Sequence, residues 1–508
     1  MACTKRRLLD AGYRAEELLR ELEQLPPGRQ RQYFSRTNIY NSVMTAWAKS
    51  SVGSSRKANT IAAANTNGSS RGGNNLNDAR RGSSSTTRQN QAPERVEYLL
   101  SLLERKYLNG QKDARPDRTT FLCMLDAYAK AGVTDAEERC EALLQRMTQW
   151  KDVFQMDDLE PDTAIYNGYL NALAKSYEPN AADKAEEILT MMQTSPDEYL
   201  RPDIVTYSTV IDCHTKCGSV SITADQRADE LLRFVEGSYR SGDVSLKPNA
   251  VFYSAILQAW AKTATAKGAE YAENLLRRNL ALYEEGYDYA KPHTIMYNAV
   301  MDAIARTGQP EAGSRAEELL DEMISLYRAG NEDMKPTKRS FNAVMLAYRS
   351  NGDGGVKAED ILYRMEKLAD STPELFHDVS PDVVSYNCAI DAIVHGKRDI
   401  GNSSDSDSEE ELSLQEFHEF AADRAQALLD RMEERSVQPD GRTYSSVIEA
   451  WLKRNDEKGQ ILADVLLRKF LDHVESTKVS KEFLYEDAVW NVINAYRHDG
   501  SVDTMDGR

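Results

Sequence analysis

Two recurring sets of polar side chains in this sequence have the types and the spacing to do chemistry. An amide or hydroxyl directly follows an aromatic residue in copy after copy: Asn41, Asn167, Ser208, Ser254, Asn298, Asn342 and Asn387 stand behind Tyr40, Tyr166, Tyr207, Tyr253, Tyr297, Phe341 and Tyr386. Nine places after the aromatic comes a cation, at Lys49, Lys130, Lys175, Lys216, Lys262, Arg306 and Lys453, with His395 in one further copy. Asparagine both donates and accepts, which suits a base edge, and evenly repeated cations could follow a phosphate backbone. Each set also has a plain structural reading. Asn and Ser cap the starts of helices, and Lys or Arg near a helix C-terminus offsets its dipole.

Bond-making chemistry is not indicated. His214 lies between Cys213 and Cys217, a zinc-ligand combination, but Cys213 holds a place that other copies fill with Ala, and His214 one filled by Trp47, Trp260 or Trp451. Core packing is the reading there, and no metal is expected. No His-Glu-x-x-His, phosphate-binding Gly loop, paired zinc cysteines or serine nucleophile elbow occurs, so neither catalysis nor a cofactor is expected.

The elements that must position these residues are visible as a repeat. Aromatics at Tyr40, Phe121, Tyr166, Tyr207, Tyr253, Tyr297, Phe341, Tyr386 and Tyr444 anchor nine copies, with a small residue six places on, from Ala46 and Ala127 to Ala392 and Ala450. Apolar residues at three, four and usually seven places after the anchor complete one helical face. The residue after the anchor is turned about 100° from it, and the cation about 180°. A second amphipathic segment follows, such as Lys184-Ala-Glu-Glu-Ile-Leu189, Arg227-Ala-Asp-Glu-Leu-Leu232 or Arg315-Ala-Glu-Glu-Leu-Leu320, and the Pro that usually opens the next copy stops it. Each copy thus predicts a helical hairpin that cannot hide its apolar faces alone and must stack on its neighbours.

The expected partition is a partial repeat at 1–36, then repeats at 37–117, 118–162, 163–203, 204–249, 250–293, 294–337, 338–382, 383–440 and 441–485, and a partial repeat at 486–508. A Ser/Asn/Gly-rich insert at 50–91 and an acidic serine-rich insert at 399–412 are too polar to bury apolar surface and are expected to be disordered. A chain that opens and closes inside a unit fits either atypical capping repeats or an incomplete sequence.

Among the 508 residues, 41% are hydrophobic and 28% charged, and no apolar stretch approaches a membrane span. Six scattered cysteines point to free thiols in a reduced compartment. The early basic residues Lys5, Arg6 and Arg7 are followed by Glu16, Glu17, Glu21 and Glu23, so no targeting peptide is readable. The net charge of −18 opposes indiscriminate phosphate binding and demands that cations concentrate on one surface.

Pro-Asp, an aromatic a few places on, Asn or Ser, a Val/Ile/Leu-rich turn and a closing Ala-Lys together resemble the pentatricopeptide repeat, from about Leu8 to Tyr496 outside the two inserts, although most neighbouring anchors here are 41 to 46 residues apart against about 35 in that family. The resemblance implies an all-α, right-handed α-solenoid of tandem helix-turn-helix repeats that reads RNA one base per repeat. Two side chains would do so: the residue after the anchor, and the one directly after the next Pro. That pairs Asn41 with Asp117, Asn167 with Asp203, Asn342 with Asp382 and Asn387 with Asp440, combinations that favour uracil in the family. Ser208 with Asn249 resembles an adenine reader and Asn298 with Thr337 a loose pyrimidine reader, while Leu122 with Asp162 and Ser254 with His293 match no code.

The expected partner is therefore single-stranded RNA, with no membrane, a monomeric chain, and a mitochondrial or plastid location and organellar RNA processing, stability or translation implied by the family alone. Two alternatives stand beside it: a helical scaffold for protein partners, which the acidic charge suits, and the RNA-binding arm of a truncated nuclease resembling protein-only ribonuclease P.

Overall fold

The computed structural model describes residues 11–24, 36–50, 91–218, 222–349, 354–396 and 414–477. The acidic insert, all but the two ends of the Ser/Asn/Gly-rich insert, and the closing copy from Asp487 lie outside the described residues. The chain divides into two compact units, residues 1–259 and 260–508. The described residues form helices, short 3-10 turns and connecting loops, and none of these helices is long and apolar enough to cross a membrane.

In the first unit, leading helices Arg36–Ser50, Arg118–Ala131, Thr163–Ser176 and Ile204–Cys217, together with the start of Ala250–Lys262, alternate with trailing helices Ala11–Gln24, Ala92–Leu108, Ala136–Phe154, Ala181–Thr194 and Ala224–Arg240. The second unit continues with trailing helices Ala266–Glu284, Ala312–Arg328, Gly354–Ser371, Leu414–Glu434 and Glu457–Thr477 around leading helices Thr294–Thr307, Lys338–Tyr348, Val383–His395 and Gly441–Lys453. Ala250–Lys262, at the boundary, aside, successive leading helices within each unit pack directly on one another, and each also packs on the trailing helices before and after it. Each unit is therefore a two-layer stack of helical hairpins.

Local sequence explains where these helices begin and end. Asp117, Asp203, Asp382 and Asp440 are N-caps in extended backbone, each closing a capping box with a Thr or Ser three places on. Trailing helices in four repeats stop just before Gly110, Gly242, Gly286 and Gly330, whose φ of +87° to +106° few other residues tolerate. A 3-10 turn then leads to the Pro and the next cap, as at Val244–Leu246 and Glu332–Met334.

The anchors fill the space between the layers. Tyr40, Phe121, Tyr207, Tyr253, Tyr297, Phe341, Tyr386 and Tyr444 are all buried, each contributing roughly 1.5–3 kcal/mol of transfer free energy. Tyr166 is different: it is half-buried. The trailing helix that follows it, Ala181–Thr194, has 14 residues where its neighbours Ala136–Phe154 and Ala224–Arg240 have 19 and 17. Close approach is set at the seventh place after the anchor, where any Cβ on Gly313 would overlap the Tyr348 ring.

The basic-Ala-acidic motif of the trailing helices is a ladder between repeats. The basic residue of one motif bonds the acid two places into the motif before it: Arg95 to Glu16, Arg139 to Glu97 (2.9 Å), Lys184 to Glu141 (2.7 Å), Arg227 to Glu186 (2.8 Å), Arg315 to Glu273 and Arg424 to Glu359 (2.7 Å). Several of these rungs also bind the leading helix, as Tyr128 donates to Glu97 at 2.8 Å. His214 occupies the same register and lies 2.7 Å from Glu186 through Nε2, buried as a core residue.

A second set of glutamates, further along the trailing helices, receives the anchor hydroxyls: Tyr253 donates to Glu236 at 3.0 Å and Tyr386 to Glu366 at 2.6 Å. Glu366 is 1% exposed and also meets Arg431 and Arg435. Glu366→Ala therefore strands the Arg431 guanidinium and the Tyr386 phenol, while Arg435 keeps Asp370 at 2.7 Å. It is expected to destabilise the second unit by about 3 kcal/mol, whereas Glu198→Ala, at the exposed pair with Arg201, costs under about 0.5 kcal/mol. Chemical denaturation of the two variants checks this.

Candidate nucleic-acid interface

Anchors face the trailing layer, so positions turned about 180° from them form the opposite, presented face of the leading helices. Those are the residues two before the anchor and two, five and nine after it. The residue directly after the anchor sits on the flank of that face, beside the N-terminus of the next leading helix.

Three of the predicted pairs meet there. Asn41 Nδ2 donates to Asp117 Oδ1 at 3.0 Å, Asn167 to Asp203 at 3.1 Å and Asn387 to Asp440 at 3.1 Å. Asn298 Nδ2 lies 3.5 Å from Thr337 Oγ1. Asn342 and Asp382 are not bonded to one another, and Asn342 Oδ1 is buried without a partner. Ser208 and Asn249 do not meet either: the serine donates to its own helix at Ile204 O (2.6 Å), and Asn249 Oδ1 takes the amide of Phe252 (2.9 Å).

The capping role falls to the second member of each pair. Asp203 Oδ1 accepts the amides of Val205 and Thr206 as well as Asn167 Nδ2, and Asp440 Oδ1 accepts Thr443 N and Asn387 Nδ2. Those bonds all converge on Oδ1, which leaves Oδ2 of Asp117, Asp203 and Asp440 as an acceptor without a partner among the described residues. The asparagine keeps one amide hydrogen. A closed pair thus presents a donor beside an acceptor on a fixed scaffold.

Two features of the face were not read from the sequence. Branched apolar residues two places before the anchor are exposed, at Val205 (50%), Val251 (60%), Ile295 (38%) and Val384 (57%), where a base could stack. Their recurrence at one register, outside the apolar face, was the available signal. Five places after the anchor, Asp126, Asp212, Asp302, Asp391 and Glu449 form an acidic row beside the cations.

The predicted cations are consequently not all bare. Lys130 pairs with Asp126, Lys216 with Asp212, and Lys453 with Glu449 at 3.0 Å while also donating to Val394 O. Lys175 lies 3.9 Å from Asp212, and burial together with Lys216 beside it holds its ammonium below the usual lysine range. Lys49, Lys262 and Arg306 are exposed. Exposed pairs of this kind hold roughly 0–1 kcal/mol, so a phosphate can compete for the cation.

His395 adds a further cation. Its Nδ1 lies 3.1 Å from Asp391 and its Nε2 3.1 Å from Glu449, and these two carboxylates raise its pKa to about 9. A histidine whose folded pKa is raised stabilises the fold fully below its unfolded value near 6.5 and loses that contribution as pH rises through about 9. His395→Gln should therefore destabilise the fold at pH 6 by about 1 kcal/mol after solvent screening, lowering the thermal midpoint there, and leave the midpoint nearly unchanged at pH 10; melting curves across that range read it out.

No family model matches the chain, and no curated protein does. Among solved structures, it is similar to the pentatricopeptide repeat protein PPR10 in complex with an 18-nt psaJ RNA element and to a triple cysteine-to-serine variant of that protein with the same element. Both are 18% identical, with a TM-score of 0.39, and each match covers 96% of this chain and 62% of that one. The chain thus spans 62% of the length of those proteins.

Proposed function

We propose that this chain binds single-stranded RNA along the presented face of its leading helices, with a preference for uridine at the closed Asn–Asp pairs. The observation that carries the reading is the pair itself, made by Asn167 and Asp203 and repeated at Asn41–Asp117 and Asn387–Asp440. Uracil offers an imino hydrogen beside a carbonyl oxygen. Aspartate Oδ2 accepts the first and the remaining asparagine hydrogen meets the second. Cytosine has a lone pair at the ring nitrogen where uracil has that hydrogen, so it opposes the carboxylate. Exposed Val205, Val251, Ile295 and Val384 supply apolar surface against the base faces, and the cation row supplies charge for the backbone. The repeat resemblance extends this to processing, stability or translation of organellar transcripts, in mitochondria or plastids.

Filter binding of the full chain to uridine-rich and adenine-rich oligonucleotides at two salt concentrations tests the proposal. Uridine tracts should bind about tenfold more tightly, with Asn167→Ala/Asp203→Ala removing part of that margin. Lys216→Ala should weaken both tracts equally and lower the salt slope by about 0.7. No RNA binding at low salt would overturn the reading in favour of a scaffold for protein segments, which the acids interleaved with the cation row would suit.

A further inference from the structure

Before five of the anchors stands a buried hydroxyl residue, Thr120, Thr206, Ser340, Ser385 or Thr443, on the side of the pair that precedes it. Thr206 Oγ1 lies 2.7 Å from Asn167 Oδ1, Ser340 Oγ 2.7 Å from Asn298 Oδ1, and Thr443 Oγ1 2.7 Å from Asn387 Oδ1. Asp203 N donates to the same Thr206 oxygen at 3.1 Å and Asp440 N to Thr443 at 3.2 Å, so each hydroxyl's own hydrogen is left for a side-chain acceptor. The amide oxygen is thereby engaged and the amide nitrogen is turned to the aspartate. A flipped amide would set its oxygen against Asp Oδ1, two acceptors with no hydrogen between them.

The sequence varies in step with this contact. Wherever a repeat offers Asn after its anchor, at Asn41, Asn167, Asn298, Asn342 and Asn387, the next repeat has Thr120, Thr206, Ser340, Ser385 and Thr443 before its own. Wherever it offers Leu122, Ser208 or Ser254, that place holds Ile165, Phe252 or Met296. Helix capping alone does not demand the match, since Asp162 caps its helix through Ile165 N without a hydroxyl there.

We infer that Thr206, Ser340 and Thr443, with Thr120 and Ser385 in the same register, are positioning residues that fix the asparagine amide and so set base discrimination one repeat earlier. This rests on the RNA reading above. The hydroxyl also has an alternative acceptor. Thr120 Oγ1 lies 2.9 Å from Asp117 and Ser385 Oγ 3.3 Å from Asp382, and in those two repeats Asn41 Oδ1 and Asn342 Oδ1 are buried without partners. In the locked repeats Thr206 and Thr443 also lie 3.0 Å from their aspartates but nearer the amide oxygen, at 2.7 Å, so a repeat has a locked arrangement, hydroxyl shared between amide and aspartate, and an unlocked one, hydroxyl on aspartate alone. The locked arrangement holds both ends of the amide, so discrimination is sharper there than at a closed but unlocked pair such as Asn41–Asp117.

The test uses the full chain, a labelled uridine tract, and the same tract with one cytidine walked along it. In the wild type, cytidine should weaken binding at each position read by a locked pair. Thr206→Val should reduce that penalty about fivefold at a single position, the effect of one hydrogen bond, and Thr206→Ser should restore it. A merely structural role would instead weaken every tract alike and lower the melting temperature in proportion. In the reverse direction, Leu122→Asn/Ile165→Thr in a chain that also carries Arg118→Ala, which releases Asp162 Oδ2 from its ion pair, should create a new discriminating position opposite Asp162 that Leu122→Asn/Arg118→Ala does not. A wild-type cytidine profile that persists unchanged in Thr206→Val overturns this inference and leaves the RNA reading standing. A wild type that ignores the uridine tract overturns both.

Discussion

Within each unit, a leading helix has to be covered from two sides by trailing helices, and the rest of the structure follows from that constraint. Its anchor aromatic fills the space between the layers, and its far end is gripped by a residue such as Tyr128 or His214 that reaches a glutamate on the preceding trailing helix. The same glutamate receives Arg139 or Arg227 from the next trailing helix. One carboxylate thus fixes three helices from two repeats, and a repeat removed from its neighbour would lose both its apolar cover and its ionic tie. Because the trailing layer carries this cohesion, the opposite face of the leading helices is released from packing. Valines can stay exposed there, and amide–carboxylate pairs can be held ready.

Much of the fold was legible because it depends on period. The anchor spacing, the Ala or Cys six places on and the basic-Ala-acidic segment mark helices that each side chain largely decides for itself. Tyr166 shows where this stops, since it holds the anchor register yet is only half-buried. The site was legible only as a set of candidates. Asn167 and Asn342 have the same neighbours in sequence, Asn with Asp one repeat on, yet one pair is closed and the other is not. That difference lies in ångström-scale packing between repeats. The third partner, Thr206 or Thr443, was on view in the sequence but reads there as part of a capping box, because one residue serves both purposes.

Charge follows the same division. A net charge of −18 looks hostile to a polyanion, yet many of the acids are spent on rungs between trailing helices. On the presented face the acids come in step with the cations, four places before them. Such pairing leaves the face polar and weakly charged, so recognition there leans on shaped hydrogen bonding more than on bulk attraction.

The two layers also differ in how far their lengths vary. Leading helices run from 11 to 15 residues and trailing helices from 14 to 21. The length beyond a minimal hairpin is therefore carried by the trailing helices and by the 3-10 turns that follow them. Contact between successive leading helices, at the usual interaxial distance of about 8–10 Å, does not pass through that extra chain. Growth on one side can proceed while the interval between neighbouring Asn–Asp pairs is conserved, much as a ruler keeps its gradations when only its backing is thickened.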